Sequence, residues 1–134
     1  MKYRHFLSIV CILLLGISTV FGQSNTLSIP DVSVAKGKTI SLPVNLDNTA
    51  DVVAVQFVLT VPSGISINAP AATLSERSDE HNVTFQSIGV NRYMAMIFSS
   101  KNKAIKGRTG TLLSVPLTAS NALDEGTEHS LTLS

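Results

Sequence analysis

From Leu27 onward the chain alternates apolar and polar side chains with a period of two, and the alternation restarts roughly every 8 to 14 residues. No stretch keeps the spacing of an amphipathic helix over three turns, so the pattern predicts an all-β domain. Ile40, Leu42, Val44 and Leu46 alternate with Thr39, Ser41, Pro43, Asn45 and Asp47, a strand with one buried and one wet face. Pro43 has no N–H to give a ladder, which places it at an edge or a bulge. Val53, Val55, Phe57, Leu59 and Val61 alternate with Val52, Ala54, Gln56, Val58 and Thr60. The second set is only weakly polar, so this strand is either covered on both sides or half of an exposed contact surface.

Val83 and Phe85 alternate with Asn82, Thr84 and Gln86, after which residues 93–98 are apolar at six consecutive positions and leave no polar face. Leu113, Val115, Leu117 and Ala119 alternate with Ser114, Pro116 and Thr118, and residues 129–134 begin another alternation. Leu27 and Ile29 share one parity while Val32 and Val34 share the other. That slip at Pro30-Asp31 predicts a strand crossing from one sheet to its partner. Turn residues punctuate the strands at Gly37, Asp47-Asn48, Pro62-Ser63-Gly64, Gly107, Gly110 and Asp124-Glu125-Gly126. Seven to nine short strands joined in this way make an antiparallel two-sheet sandwich. Residues 68–80 carry the least pattern and are expected to form a long loop with one short strand.

The first 22 residues differ from all of this. They hold 14 of the chain's 59 hydrophobic residues, with Lys2 and Arg4 in front of an apolar run of about a dozen. A membrane span needs about 20, so the segment reads as a secretory signal cleaved near Gly22. Residues 23–134 then form one domain, long enough to bury roughly two-thirds of its unfolded surface, with no membrane span in the mature chain. Cys11 leaves with the leader, so the mature domain has no disulfide, thiol nucleophile or cysteine metal site. Its 8 basic and 9 acidic side chains give no clustered basic footprint for nucleic acid.

Candidate chemistry is sparse. His81 and His129 stand 48 positions apart with no further ligand to complete a zinc set. No Gly-x-Ser-x-Gly elbow is present. The acidic pairs sit in turns, where water keeps carboxylates ionised, rather than facing one another as glycoside hydrolysis requires. Asp47, Asn48 and Asp51 could offer calcium hard oxygens on a loop, but the same residues also make an ordinary turn. No catalytic residue, metal or cofactor is assigned, and the domain is read as non-enzymatic. Sugar stacking wants exposed Trp or Tyr; the mature chain has no Trp and one Tyr, Tyr93.

The strand from Leu27 to Val34, the Gly37 turn, the Ile40-Ser41-Leu42-Pro43-Val44-Asn45-Leu46 strand and Val53-Ala54-Val55-Gln56-Phe57-Val58-Leu59 follow in a telling order. Arg92 to Phe98, then Ser99, and the Ile105-Lys106-Gly107 loop leading to Gly110-Thr111-Leu112-Leu113 continue it. In this order and spacing the chain resembles a cohesin-like domain. The resemblance implies a nine-stranded jelly-roll sandwich related to bacterial carbohydrate-binding modules, without catalysis of its own. It also implies a final strand beyond Ser134, so the sequence is expected to be a truncated reading of a longer protein. It implies a secreted or cell-surface module that docks a dockerin-like or other exported protein through a flat sheet face. Polysaccharide binding and a plain spacer role are the alternatives. The candidate partner-binding residues are Val52, Ala54, Gln56, Val58 and Thr60, with Asn82, Thr84 and Gln86, and with Tyr93, Ala95 and Ile97. Alternation alone leaves open which parity of residues 93–98 faces outward. Lys101-Asn102-Lys103 and Lys106-Gly107-Arg108 add a local basic stretch, either a solvated loop or a site for an acidic partner.

Overall fold

The computed structural model describes residues 24–134 and the backbone of residues 10 and 11. The leader expected over residues 1–22 lies outside the described residues apart from that short backbone piece. In chain order the strands are β1 (Val10–Cys11), β2 (Asn25–Ser28), β3 (Thr39–Asn48), β4 (Val55–Thr60) and β5 (Ile65–Ile67). They continue as β6 (Thr73–Leu74), β7 (Asn82–Gly89), β8 (Arg92–Phe98), β9 (Thr111–Ala119) and β10 (Thr132–Leu133). One antiparallel sheet has the order β1-β2-β3-β9-β5, with β6 also on β9; the other has the order β10-β4-β8-β7.

The two sheets close on one core, as the alternation requires. Leu42, Val44 and Leu46 of β3 and Val115 and Leu117 of β9 enter it from one side; Val55, Phe57, Leu59, Ala95 and Ile97 enter from the other. Each of the larger side chains contributes about 1.5 to 3 kcal/mol on burial. Across the second sheet the inward rows are Val55, Ile97 and Val83, then Phe57, Ala95 and Phe85. Ala95 is small, and the Phe57 and Phe85 rings close over that row with centroids 6.3 Å apart. Phe85 lies 6.1 Å from Tyr93, which continues the aromatic file.

Pro43 sits where the sequence places it. β2 covers only Asn45 to Asn48 of β3, and a bulge follows between Val44 and Asn45. At that bulge β9 carries one extra residue, Leu112, since Val44 pairs with Leu113 and Asn45 with Thr111. The carbonyl of Leu112 accepts from Ser75 N–H at 2.8 Å and from the buried Ser78 hydroxyl at 2.9 Å. The 68–80 segment is thereby tied down. It contains one short strand, β6, between single 3-10 turns at Ala69–Ala71 and Glu76–Ser78.

One expectation is corrected. Leu27 to Val34 is not one continuous strand: the ladder ends at Ser28, and beyond it only Ser33 makes a single bridge. Ile29 and Val34 still enter the core. Pro30 interrupts the ladder, and the shift of parity is taken up by irregular chain. Between β4 and β5 Gly64 adopts φ +87°, and a Cβ there would meet Leu123 Cδ2 at 2.5 Å, so both backbone and space call for glycine.

Candidate docking face

The outer face of the β10-β4-β8-β7 sheet is built by register. Gln56 pairs with Met96 and Met96 with Thr84; Val58 pairs with Met94 and Met94 with Gln86; Thr60 pairs with Arg92, and Phe98 with Asn82. Thr132 of β10 adds to the Thr60 row. Met96 and Phe98 are 38% and 36% exposed, Met94 and Val58 are half-buried, and the flanking Gln56, Asn82, Thr84 and Gln86 are exposed. The result is an apolar stripe along β8 bordered by neutral amides and hydroxyls. Gln56 reaches across it, its Nε2 donating to Met94 Sδ at 3.5 Å. At the far hairpin Val90 is 89% exposed and Ile88 is also open.

This face contains six of the eleven candidate residues in the exposed or half-exposed positions expected of them: Gln56, Val58, Thr60, Asn82, Thr84 and Gln86. Ala54 precedes β4 and is half-buried. Four need correction. Ala95 and Ile97 are 0% exposed and belong to the core. Tyr93 shares their parity, packs against that core, and its hydroxyl accepts from Ile67 N–H at 3.5 Å. Val52 is buried before β4 begins, and its carbonyl accepts from Ile105 N–H at 2.7 Å. The outward residues of β8 are Arg92, Met94, Met96 and Phe98, of which the candidate set held none. A signal for them was present, because Arg92 shares their parity and a charged side chain cannot be left unpaired in an apolar core.

The other candidate chemistries resolve into structure. Asn48 Oδ1 accepts from Arg77 Nη2 at 2.8 Å, Asp51 pairs with Arg108 at 3.0 Å, and Asp47 accepts from the Thr109 hydroxyl. In the 47–51 loop two guanidinium groups and a hydroxyl therefore engage side-chain oxygens that a calcium ion would need. Among the described residues no three His, Cys, Asp or Glu side chains converge as metal ligands. His81 is buried; its Nε2 donates to the Val53 carbonyl at 3.1 Å, and its Nδ1 has no partner among the described residues.

Arg77, which the alternation gave no reason to single out, is the main polar brace. Its Nη1 donates to the Leu46 and Gly110 carbonyls at 2.7 Å each and its Nε to the Lys106 carbonyl at 2.7 Å. Burial lowers its pKa from the ordinary arginine value, and the Asp47 charge works in the opposite sense. Nearby, Lys106 Nζ lies 2.8 Å from both carboxylate oxygens of Asp79. Their hydrogen bond pulls the Asp79 carboxyl below the usual range and raises Lys106.

No family model matches the sequence, and no curated protein matches it. Solved structures do match in fold. A non-cellulosomal cohesin from the archaeon Archaeoglobus fulgidus aligns with a TM-score of 0.59 at 21% identity, over 74% of this chain and 65% of that one. The sixth cohesin of scaffoldin B from Acetivibrio cellulolyticus, solved in complex with a Cel5 dockerin mutant, aligns with a TM-score of 0.70 at 14% identity, over 81% and 79%. A type III cohesin module from the cell-surface anchoring scaffoldin ScaE of Ruminococcus flavefaciens gives 0.68 at 16%, over 82% and 65%. The chain thus spans just under two-thirds of the archaeal and ruminococcal modules. Among the described residues no helix is long and apolar enough to cross a membrane. With its two antiparallel sheets and these structural likenesses, the chain has a cohesin-like β-sandwich fold.

Proposed function

We propose that this chain is a non-catalytic docking module, exported by a leader at residues 1–22 to the cell surface or medium, that binds a partner protein through the outer face of the β10-β4-β8-β7 sheet. The observation that carries this reading is the stripe of Met94, Met96 and Phe98 with Val58, apolar side chains presented on a rigid sheet with polar neighbours around them. Large exposed apolar side chains grouped within a polar rim are the anatomy of a protein interface. Methionines adapt their shape to what they meet. The dockerin complex of the structurally similar Acetivibrio cohesin supports a dockerin-like partner. A polysaccharide ligand is less well served, because the one tyrosine of the domain turns inward and no indole is available to stack on a sugar.

Immobilised protein exposed to the secretome of its own cell tests the proposal. Met96→Asp should leave the melting temperature within a few degrees and abolish retention of the partner. Ser41→Asp, on the outer face of the other sheet, should retain it. Equal retention by both variants would place the interface elsewhere, and retardation of the wild type on insoluble glycans, lost in Thr84→Ala and Gln86→Ala, would favour the carbohydrate reading instead.

A further inference from the structure

The apolar stripe on β8 has a positive charge at each end and no Asp or Glu side chain along it. Arg92 opens the strand, exposed, opposite Thr60 and Gly89. At the other end, Phe98 is followed by a loop wound around Ser99. The Ser99 hydroxyl accepts from Lys101 N–H at 3.3 Å and Lys103 N–H at 3.0 Å, and its carbonyl accepts from Asn102 N–H at 3.3 Å. Asn102 takes φ +53° to complete the turn. Ser99 itself is buried, so this loop is anchored and presents Lys101 and Lys103, both exposed, beside the end of the stripe.

These three cations differ from the basic residues that follow. Lys106 is held by Asp79 and Arg108 by Asp51, whereas Arg92, Lys101 and Lys103 join no ion pair among the described residues. The outward positions of β4, β7, β8 and β10 contain no Asp or Glu. The acidic residue nearest β7 in sequence, Glu80, lies within the field of Lys106. Six residue steps along β8 separate Arg92 from Phe98, which is about 20 Å of apolar track between the two positive ends.

Resting on the docking reading above, we propose that the partner presents a segment about 20 Å long whose apolar side chains seat on Val58, Met94, Met96 and Phe98, and whose two ends carry carboxylates that meet Arg92 at one end and Lys101 and Lys103 at the other. Charges at the rim of an interface select partners and orientation more than they add affinity. A basic-ended segment would bring like charges together at both ends of the track.

Two synthetic peptides with the same leucine and methionine face test this, one ending in paired glutamates and the other in paired lysines. Binding is followed by the methyl NMR signals of Met94 and Met96 in the full chain. At low salt the acidic-ended peptide should shift both methyls and bind about tenfold more tightly than its counterpart. That preference should shrink below about twofold in 1 M salt, where the Debye length is about 3 Å. It should also vanish in the triple variant Arg92→Ser, Lys101→Ser, Lys103→Ser, whose positions are exposed and leave the core intact. Equal affinity of the two peptides, with both methyls shifted, would overturn the charge selection and leave the docking face standing. A preference for the acidic peptide without methyl shifts would put its site elsewhere and overturn the proposal. Failure of both peptides to bind would sink the selection and the docking face together.

Discussion

The two sheets turn very different outer faces to solvent. On the β3 and β9 side the outward positions are small and polar or proline: Pro43 pairs with Ser114 and Ser41 with Pro116. Their hydroxyls are largely satisfied within the sheet, Thr39 with Thr118 at 2.7 Å and Thr111 with the Asn45 Oδ1 at 2.9 Å. On the β4 and β8 side the corresponding positions carry Met94, Met96, Phe98 and Val58, none of which finds a covering layer among the described residues. Both faces alternate with the same core. The difference lies only in the residues that the core does not need, and those are the positions a sequence is free to spend on recognition.

Neighbouring positions on β8 give the sharpest way to break this comparison. Ile97→Asp would bury a lone carboxylate among Val55 and Val83 and should prevent folding, a loss above about 4 kcal/mol, read by the absence of a cooperative thermal transition. One residue earlier, Met96→Asp meets water and should fold normally. If Ile97→Asp melts like the wild type, the inward and outward sets have been exchanged.

Arg77→Ala tests what stabilises the other sheet. It would strip donors from the Leu46, Gly110 and Lys106 carbonyls and from Asn48, and should cost about 2 to 4 kcal/mol in urea unfolding. Partner binding through the methionine face should persist in the folded fraction.

The smallest effect belongs to Asp79→Asn. Because the folded-state pKa of Asp79 is depressed below its unfolded value of about 3.9, the ion pair with Lys106 contributes its stability above that value and loses it as pH falls through the lower folded one. The variant should therefore melt slightly below the wild type at pH 7, and the gap should close under strong acid. Both side chains are about half exposed, so the gap is expected to be small and to shrink with salt. A gap that widens in acid would show that Asp79 stabilises the fold when protonated.

Much of the architecture was legible because the period of a strand is written in its residues. The β3, β7 and β9 alternations match the structure nearly residue by residue, and Pro43 lies on the stretch of β3 that β2 leaves uncovered. Residues 93–98 were different: with six apolar side chains in a row, both parities satisfy a core equally well. Ala95 faces inward because Phe57 and Phe85 need the room, a fact about two other strands. Arg92 is the local hint, since its charge marks the outward parity, whereas the hydroxyl of Tyr93 finds Ile67 inside the fold. Arg77 was invisible for a related reason, since its acceptors are carbonyls 29 to 33 positions away.

Residue order alone determined that this is a domain of short antiparallel strands, because alternation at period two hides one face of each strand and wets the other. Tertiary pairing alone decided which half of the apolar run on β8 looks outward, which loop oxygens are already engaged, and which cations at the ends of the stripe join no ion pair among the described residues. Those properties depend on the distance between residues far apart in the chain, which only packing sets.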